Sequence, residues 1–238
     1  MFTLYKKELA YYLNNSIGYI VIILFAIFAN FLYVKDIFVV GSASMRPFFN
    51  ILPWLLMVFV PALCMRSIAE EKRTNTIELL LTLPVSETQV VLAKYLALLT
   101  LTGVSFVLTM GLPVSLFFLT KSNLSNLYIP EILVGYVGSI LIASAFISLS
   151  LFFSSKTKNQ VVAFLSSAVI LFFLIIFSSD FASSVLPKAL QDRLNYLSPV
   201  YHLQNFIKGL VDLRSLFYFL SFTVAFLFMT IIELEKRE

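Results

Sequence analysis

The chain has 238 residues, 60% of them hydrophobic and only 13% charged. A soluble domain carries about 25% charged residues, so this composition excludes a water-soluble globule and predicts a chain that crosses a bilayer several times. The net charge of +4 is spread among the segments between apolar runs. That suits a membrane surface and argues against a nucleic-acid partner.

The N-terminal stretch FTLYKKELAYYL is amphipathic. Phe2, Tyr5, Leu9, Tyr12 and Leu13 fall on one helical face, with Lys6, Lys7 and Glu8 away from it. It reads as a helix lying in the membrane interface, or equally as a plain extension of the first span. Apolar runs follow at 17–34, 48–65, 95–119, 131–153, 160–179 and 215–232. Each is long enough to cross ~30 Å of hydrocarbon at about 1.5 Å per residue. The first exceeds a signal-peptide core and no small-x-small cleavage pattern follows it, so it reads as an uncleaved span.

Six spans put both termini on one side. With the N-terminus inside, ten of the Lys and Arg residues fall inside and seven outside. The pairs Lys6–Lys7, Lys72–Arg73 and Lys236–Arg237 are all inside, which favours an N-in, C-in topology. Pro53, Pro61 and Pro113 lie within spans and predict kinks. Gly103 and Gly111 in the third span, and Gly135, Ser139 and Ala143 in the fourth, predict close helix approach. Cys64 is the single cysteine, which rules out an intrachain disulfide and reads as a small packing residue.

The spans hold no Asp, Glu, Lys, Arg or His at depth; Glu131 sits at an edge. Ion-coupled carriers place ionisable groups in their pathways, so this pattern weighs against one. It also weighs against an intramembrane metalloprotease, which needs His and carboxylate ligands together. A serine-protease reading needs a buried Ser–His pair, and the one histidine, His202, lies between the last two spans and reads as structural. No phosphate-cradling GxxxxGK[ST] is present. The chain is therefore expected to have no catalytic residue, metal site or cofactor of its own, and any energy must come from another subunit.

Residues 66–89 break the apolar pattern with RSIAEEKRTNTIELLLTLPVSETQ. Two short helices around a break are predicted. Asn75 suits a cap for the second, with Glu78 three residues on. Ile77, Leu79, Leu80, Leu81 and Leu83 give its apolar turns, and Pro84 ends it. Ser86 and Gln89 then form a capping box that opens the next helix. A charged helical element at the membrane face points to docking of a soluble partner; the plainer alternative is a surface helix that stabilises only its own bundle.

The string EEKRTNTIELLLTLPVS closely resembles the second-loop motif of ABC-2-type permeases, the membrane subunits of ABC transporters. The nearest branch resembles the gliding-motility and nitrous-oxide-reductase-maturation permeases. In that family the segment seats in a cleft of the ATPase subunit. Glu70, Glu71, Arg73, Thr76, Glu78, Leu79, Leu80, Pro84 and Val85 match. Asn75 stands where the family often has Gly, and Asn is the best non-glycine residue for a left-handed backbone. A second segment, YLSPVYHLQNFIKGLVDLRSLFYFLSF, resembles the same branch before its last span, through Ser198, Pro199, His202, Phe206, Gly209, Asp212 and Tyr218.

The resemblance implies an all-α polytopic membrane protein forming one domain over 1–238. It would have six spans, an N-terminal interfacial helix, a cytoplasmic coupling helix between spans two and three, and short extracellular helices between spans five and six. It implies a permease, not an enzyme, working as an exporter in the prokaryotic cytoplasmic (inner) membrane. The partners would be ABC ATPase subunits, which hold ATP and Mg, a second identical or paralogous permease subunit, and membrane lipid. The alternatives are a membrane anchor or mechanotransmission subunit that passes no substrate, and, from another class, an intramembrane enzyme. The cargo is not readable from these residues.

Overall fold

A backbone in lipid must satisfy its own hydrogen bonds, so a chain this apolar folds as helices. The computed structural model describes residues 1–40, 44–76, 85–119, 129–178 and 188–236. Within them run α1 (Phe2–Asn14), α2 (Ser16–Val40), α3 (Arg46–Cys64), α4 (Ala69–Arg73), α5 (Glu87–Thr109) and α6 (Gly111–Leu119). They continue with α7 (Ile129–Lys156), α8 (Gln160–Ile176), α9 (Lys188–Leu197), α10 (Pro199–Ile207) and α11 (Leu213–Glu235).

Five stretches are long and apolar enough to cross a membrane: Gly18–Lys35, Arg46–Arg73, Glu87–Leu116, Ile129–Lys156 and Leu213–Glu235. The remaining expected crossing, the fifth in chain order, corresponds to α8, an apolar helix of 17 residues, or about 25 Å. Residue 179, where that run was expected to end, lies outside the described residues. The third crossing begins earlier than its apolar run indicates, because Ser86 caps α5 by accepting the Gln89 N–H at 3.3 Å. It is also broken at Met110. Pro113 has no N–H to give the Thr109 carbonyl, and the Met110 N–H turns to the Val107 carbonyl at 3.1 Å. Pro53 and Pro61 lie inside α3 without ending it.

The hub is α7, which packs against α3, α5, α8, α10 and α11. Its glycines permit that. A Cβ on Gly135 would lie 2.4 Å from the Phe49 ring, and one on Gly138 would lie 2.5 Å from Phe206 Cβ. Among the described residues, Gly103 and Gly111, expected to mark a close approach, face nothing within 4 Å. Cys64 is buried, as its apolar setting predicts.

The outward faces are apolar stripes. On α11 the exposed residues Leu213, Phe217, Leu220, Val224 and Phe228 recur at helical spacing. Trp54, 40% exposed on α3, meets the Phe172 ring of α8 edge-on at 6.3 Å. One end of the bundle gathers α1, α4 and the near ends of α5, α7 and α8. At the other end Arg46 Nε donates to Glu131 Oε2 at 2.9 Å, and Ser44 Oγ donates to the same carboxylate at 3.0 Å.

Gly138→Ala is expected to destabilise the bundle by about 1–3 kcal/mol, because the opposing Phe206 Cβ cannot swing away, whereas Gly103→Ala is expected to be neutral or slightly stabilising. Thermal unfolding of both variants in one detergent checks the contrast.

Candidate functional site

The resemblance-derived residues 70–76 and Val85 lie at the α1 end of the bundle. The chain leaves α3 through a turn and enters α4. Ser154, near the end of α7, accepts the N–H groups of Ile68 at 3.2 Å and Ala69 at 3.1 Å. These are donors that a helix start leaves unpaired, so a hydroxyl from another helix caps α4. The Lys72 ammonium donates to the Ser155 carbonyl at 2.5 Å. A five-residue helix has little stability of its own; α4 is held by α7.

Asn75 ends α4. Its φ is 56°, the only positive value at a non-glycine among the described residues. The left-handed turn foreseen from the family's glycine is therefore present. A left-handed residue just past the last turn is a stop signal, and the helix that Asn75 was expected to cap lies almost wholly outside the described residues. Glu78, Leu79, Leu80 and Pro84, and with them the expected apolar turns and the Glu78 side of the capping box, lie outside the described residues. Val85 is half-buried, directly before the Ser86 cap. Arg73, Thr74, Asn75 and Thr76 are all exposed, and the Thr74 and Thr76 hydroxyls are 2.9 Å apart.

The two glutamates of α4 face inward in different directions. Glu70 Oε2 accepts the Tyr11 hydroxyl at 3.2 Å and lies 3.9 Å from Arg66 Nε. Burial, and then the Glu70 carboxylate, raises the Tyr11 phenol above its usual range. Arg66 Nε in turn donates to Gln160 Oε1 at 3.1 Å, linking α8 to the group. Glu71 Oε1 accepts Lys94 Nζ at 2.8 Å. The same Nζ donates to Glu8 Oε2 at 3.1 Å.

Here the sequence expectation is corrected. Glu8 does not lie away from the packed face of α1. It is buried beside Tyr12, whose hydroxyl donates to the Leu63 carbonyl at 3.2 Å, while Phe2 and Leu13 are exposed. The inward face of α1 is chosen by a buried partner charge, and Lys94, 1% exposed, supplies it. Neither residue stood out as functional in the sequence. The available signal was a lysine set within the apolar string VVLAKYLALL at the mouth of a span.

The second motif segment forms a different site at the opposite end. Ser198 stands at the N-cap of α10, with Pro199 in its first turn. Phe206 packs on Gly138. Gly209, φ 79°, closes α10: its N–H donates to the Phe206 carbonyl and the Leu210 N–H to the Asn205 carbonyl, both at 3.0 Å. Asp212 Oδ1 caps α11 by accepting the Arg214 N–H at 3.0 Å, and Oδ2 accepts Asn205 Nδ2 at 3.2 Å.

His202 is stacked on the Tyr218 ring at 4.0 Å. Nε2 is 3.0 Å from the Tyr196 carbonyl, which can only accept, so Nε2 carries the proton and Nδ1 accepts the Ser215 hydroxyl at 3.3 Å. A buried Ser–His pair therefore does exist. Ser215 is 1% exposed, which leaves its oxygen no open face for a substrate carbonyl. The pair joins α10 to α11.

These features define a polytopic helical membrane protein with a charged, loop-borne element clamped to one end of its bundle. A family model described as "ABC-2 family transporter protein" matches residues 2–237. The chain belongs to that family and is a multi-pass membrane component of it. No curated protein matches the chain.

Asn75→Gly is expected to leave stability unchanged, whereas Asn75→Val is expected to cost about 1–2 kcal/mol; limited proteolysis at 69–76 reads the difference. A second expectation concerns pH. Burial lowers the His202 pKa, against weaker opposing effects of the Tyr196 carbonyl and Asp212. The unfolded imidazole then takes up its proton first as pH falls, so stability is full above about pH 6.5 and declines below it. The unfolding midpoint is expected to drop as pH falls below about 6.5, with a smaller drop in His202→Gln.

Proposed function

We propose that the chain is the membrane-spanning subunit of an ATP-driven exporter, and that residues 66–89 receive the stroke of a separate ABC ATPase. A second permease subunit, identical or paralogous, would complete the path, with ATP and Mg held in the ATPase. The observation that carries this reading is the divided character of the 70–76 segment. Its tip, Arg73 to Thr76, is exposed and polar, ready for a partner surface. Its base is fastened by Ser154 and the Ser155 carbonyl to α7, the helix that touches most of the bundle. Pressure on the tip is thereby passed to the packing hub instead of being absorbed by a loose loop. Such a stroke acts by shifting the balance between two global arrangements of the helices.

The orientation follows the same reading: the α1 end faces the cytoplasm, and the Arg46–Glu131 end faces outward. The residues of the second motif hold α10 and α11 together on the outer side and do no chemistry.

Glu78→Lys is expected to leave the protein in the membrane while weakening ATPase association at least about tenfold. Co-purification with the ABC ATPase subunit, followed by ATP-driven flux in reconstituted vesicles, tests it. Native association together with native flux would overturn the reading.

A further inference from the structure

We propose that Lys94 is a positioning residue of the transport cycle, which makes α1 and α5 move with α4. This rests on the docking role of residues 66–89. One ammonium joins three elements distant in sequence: Glu71 of α4 at 2.8 Å, Glu8 of α1 at 3.1 Å, and its own helix α5. The same face of α1 carries Tyr12, bonded to the Leu63 carbonyl near the end of α3. Displacing α4 therefore loads α5 directly, and loads α1 through the shared lysine as well as through the Tyr11–Glu70 hydrogen bond at 3.2 Å.

A buried ion cluster is a poor way to gain stability, because desolvation of the charges offsets much of their attraction. What it supplies is a fixed geometry: one ammonium holds both carboxylates, and either one that leaves gives up a charge-assisted hydrogen bond. Apolar packing between the same helices would allow them to slide. Glu71 adds a further property. Its second carboxylate oxygen, Oε2, is buried without a hydrogen-bond partner. Lys94 can pass from Oε1 to Oε2 as α4 turns, so the clasp stays closed through a rotation.

The test uses the full complex with its ATPase subunits in lipid nanodiscs, with and without Mg·ATP and vanadate. Spin labels on Thr74→Cys and Val162→Cys follow α4 against α8, with the labelled Thr74 variant first shown to co-purify with the ATPase subunits as the native chain does. Labels on Lys7→Cys and Val162→Cys follow α1 against α8. These positions are exposed, and the native thiol of Cys64 is buried beyond the reach of the label. In the otherwise native chain both distances are expected to shift with nucleotide. In a Tyr11→Phe background, which removes the direct α1–α4 hydrogen bond, Glu8→Gln keeps Lys94 paired with Glu71; it is expected to preserve the α4 shift and lose the α1 shift. Glu71→Gln breaks the clasp from its other side and is expected to lose the α1 shift too, while Lys94→Arg keeps both. An undiminished α1 shift in Glu8→Gln and Glu71→Gln overturns the proposal. So does a native α1 that stays still while α4 moves, and in that case the docking reading stands. A native α4 that does not respond to nucleotide removes the docking reading and this proposal together.

Discussion

An ammonium taken out of water must be matched by acceptors at hydrogen-bond distance, because unpaired charge in a low-dielectric interior is costly. Lys94 meets that condition with Glu8 and Glu71, and the layout of one end of the molecule follows from it. The N-terminal helix is oriented by Glu8, not by its most hydrophobic edge. The short α4 helix is oriented by Glu71, which leaves Glu70 to meet Tyr11 and Arg66. The exposed tip at 73–76 points outward because the residues just before it are held inward.

The two ends of the bundle use polar chemistry differently. At the α1 end, charges bridge elements far apart in sequence: Lys94 with Glu8 and Glu71, Arg66 with Gln160, and Lys156 with Glu233 at 3.5 Å. At the other end the Arg46–Glu131 pair also spans distant elements, but the motif residues Ser198, Gly209 and Asp212 mostly start and stop helices locally. A bundle built this way is cross-braced where its motif segment sits and segmented where α10 lies. That asymmetry separates the two motif segments in kind: one presents a surface, the other sets helix boundaries.

Much of this was legible because local rules carried it. Hydropathy marked the apolar runs, and the Ser86 and Asn75 signals each produced a real backbone feature. At Asn75 that feature is the end of α4, since the same residue can follow one helix and precede another. The small-residue rule held at Gly135 and failed at Gly103, because periodicity identifies a face without saying whether a neighbour occupies it. The Lys94 cluster was not legible at all. Its members are separated by tens of residues, and each looks in isolation like an ordinary interfacial charge. Only the tertiary arrangement joins these three side chains around a buried ammonium.

Trp54 is the sole tryptophan of the chain. It stands half-open on α3 with its ring against Phe172 of α8. Its indole thus straddles a helix–helix seam and the hydrocarbon outside. All of the tryptophan emission comes from that one seam, so any parting of α3 from α8 is written into its colour and quenching. The molecule carries an intrinsic optical gauge on the membrane side of its own bundle.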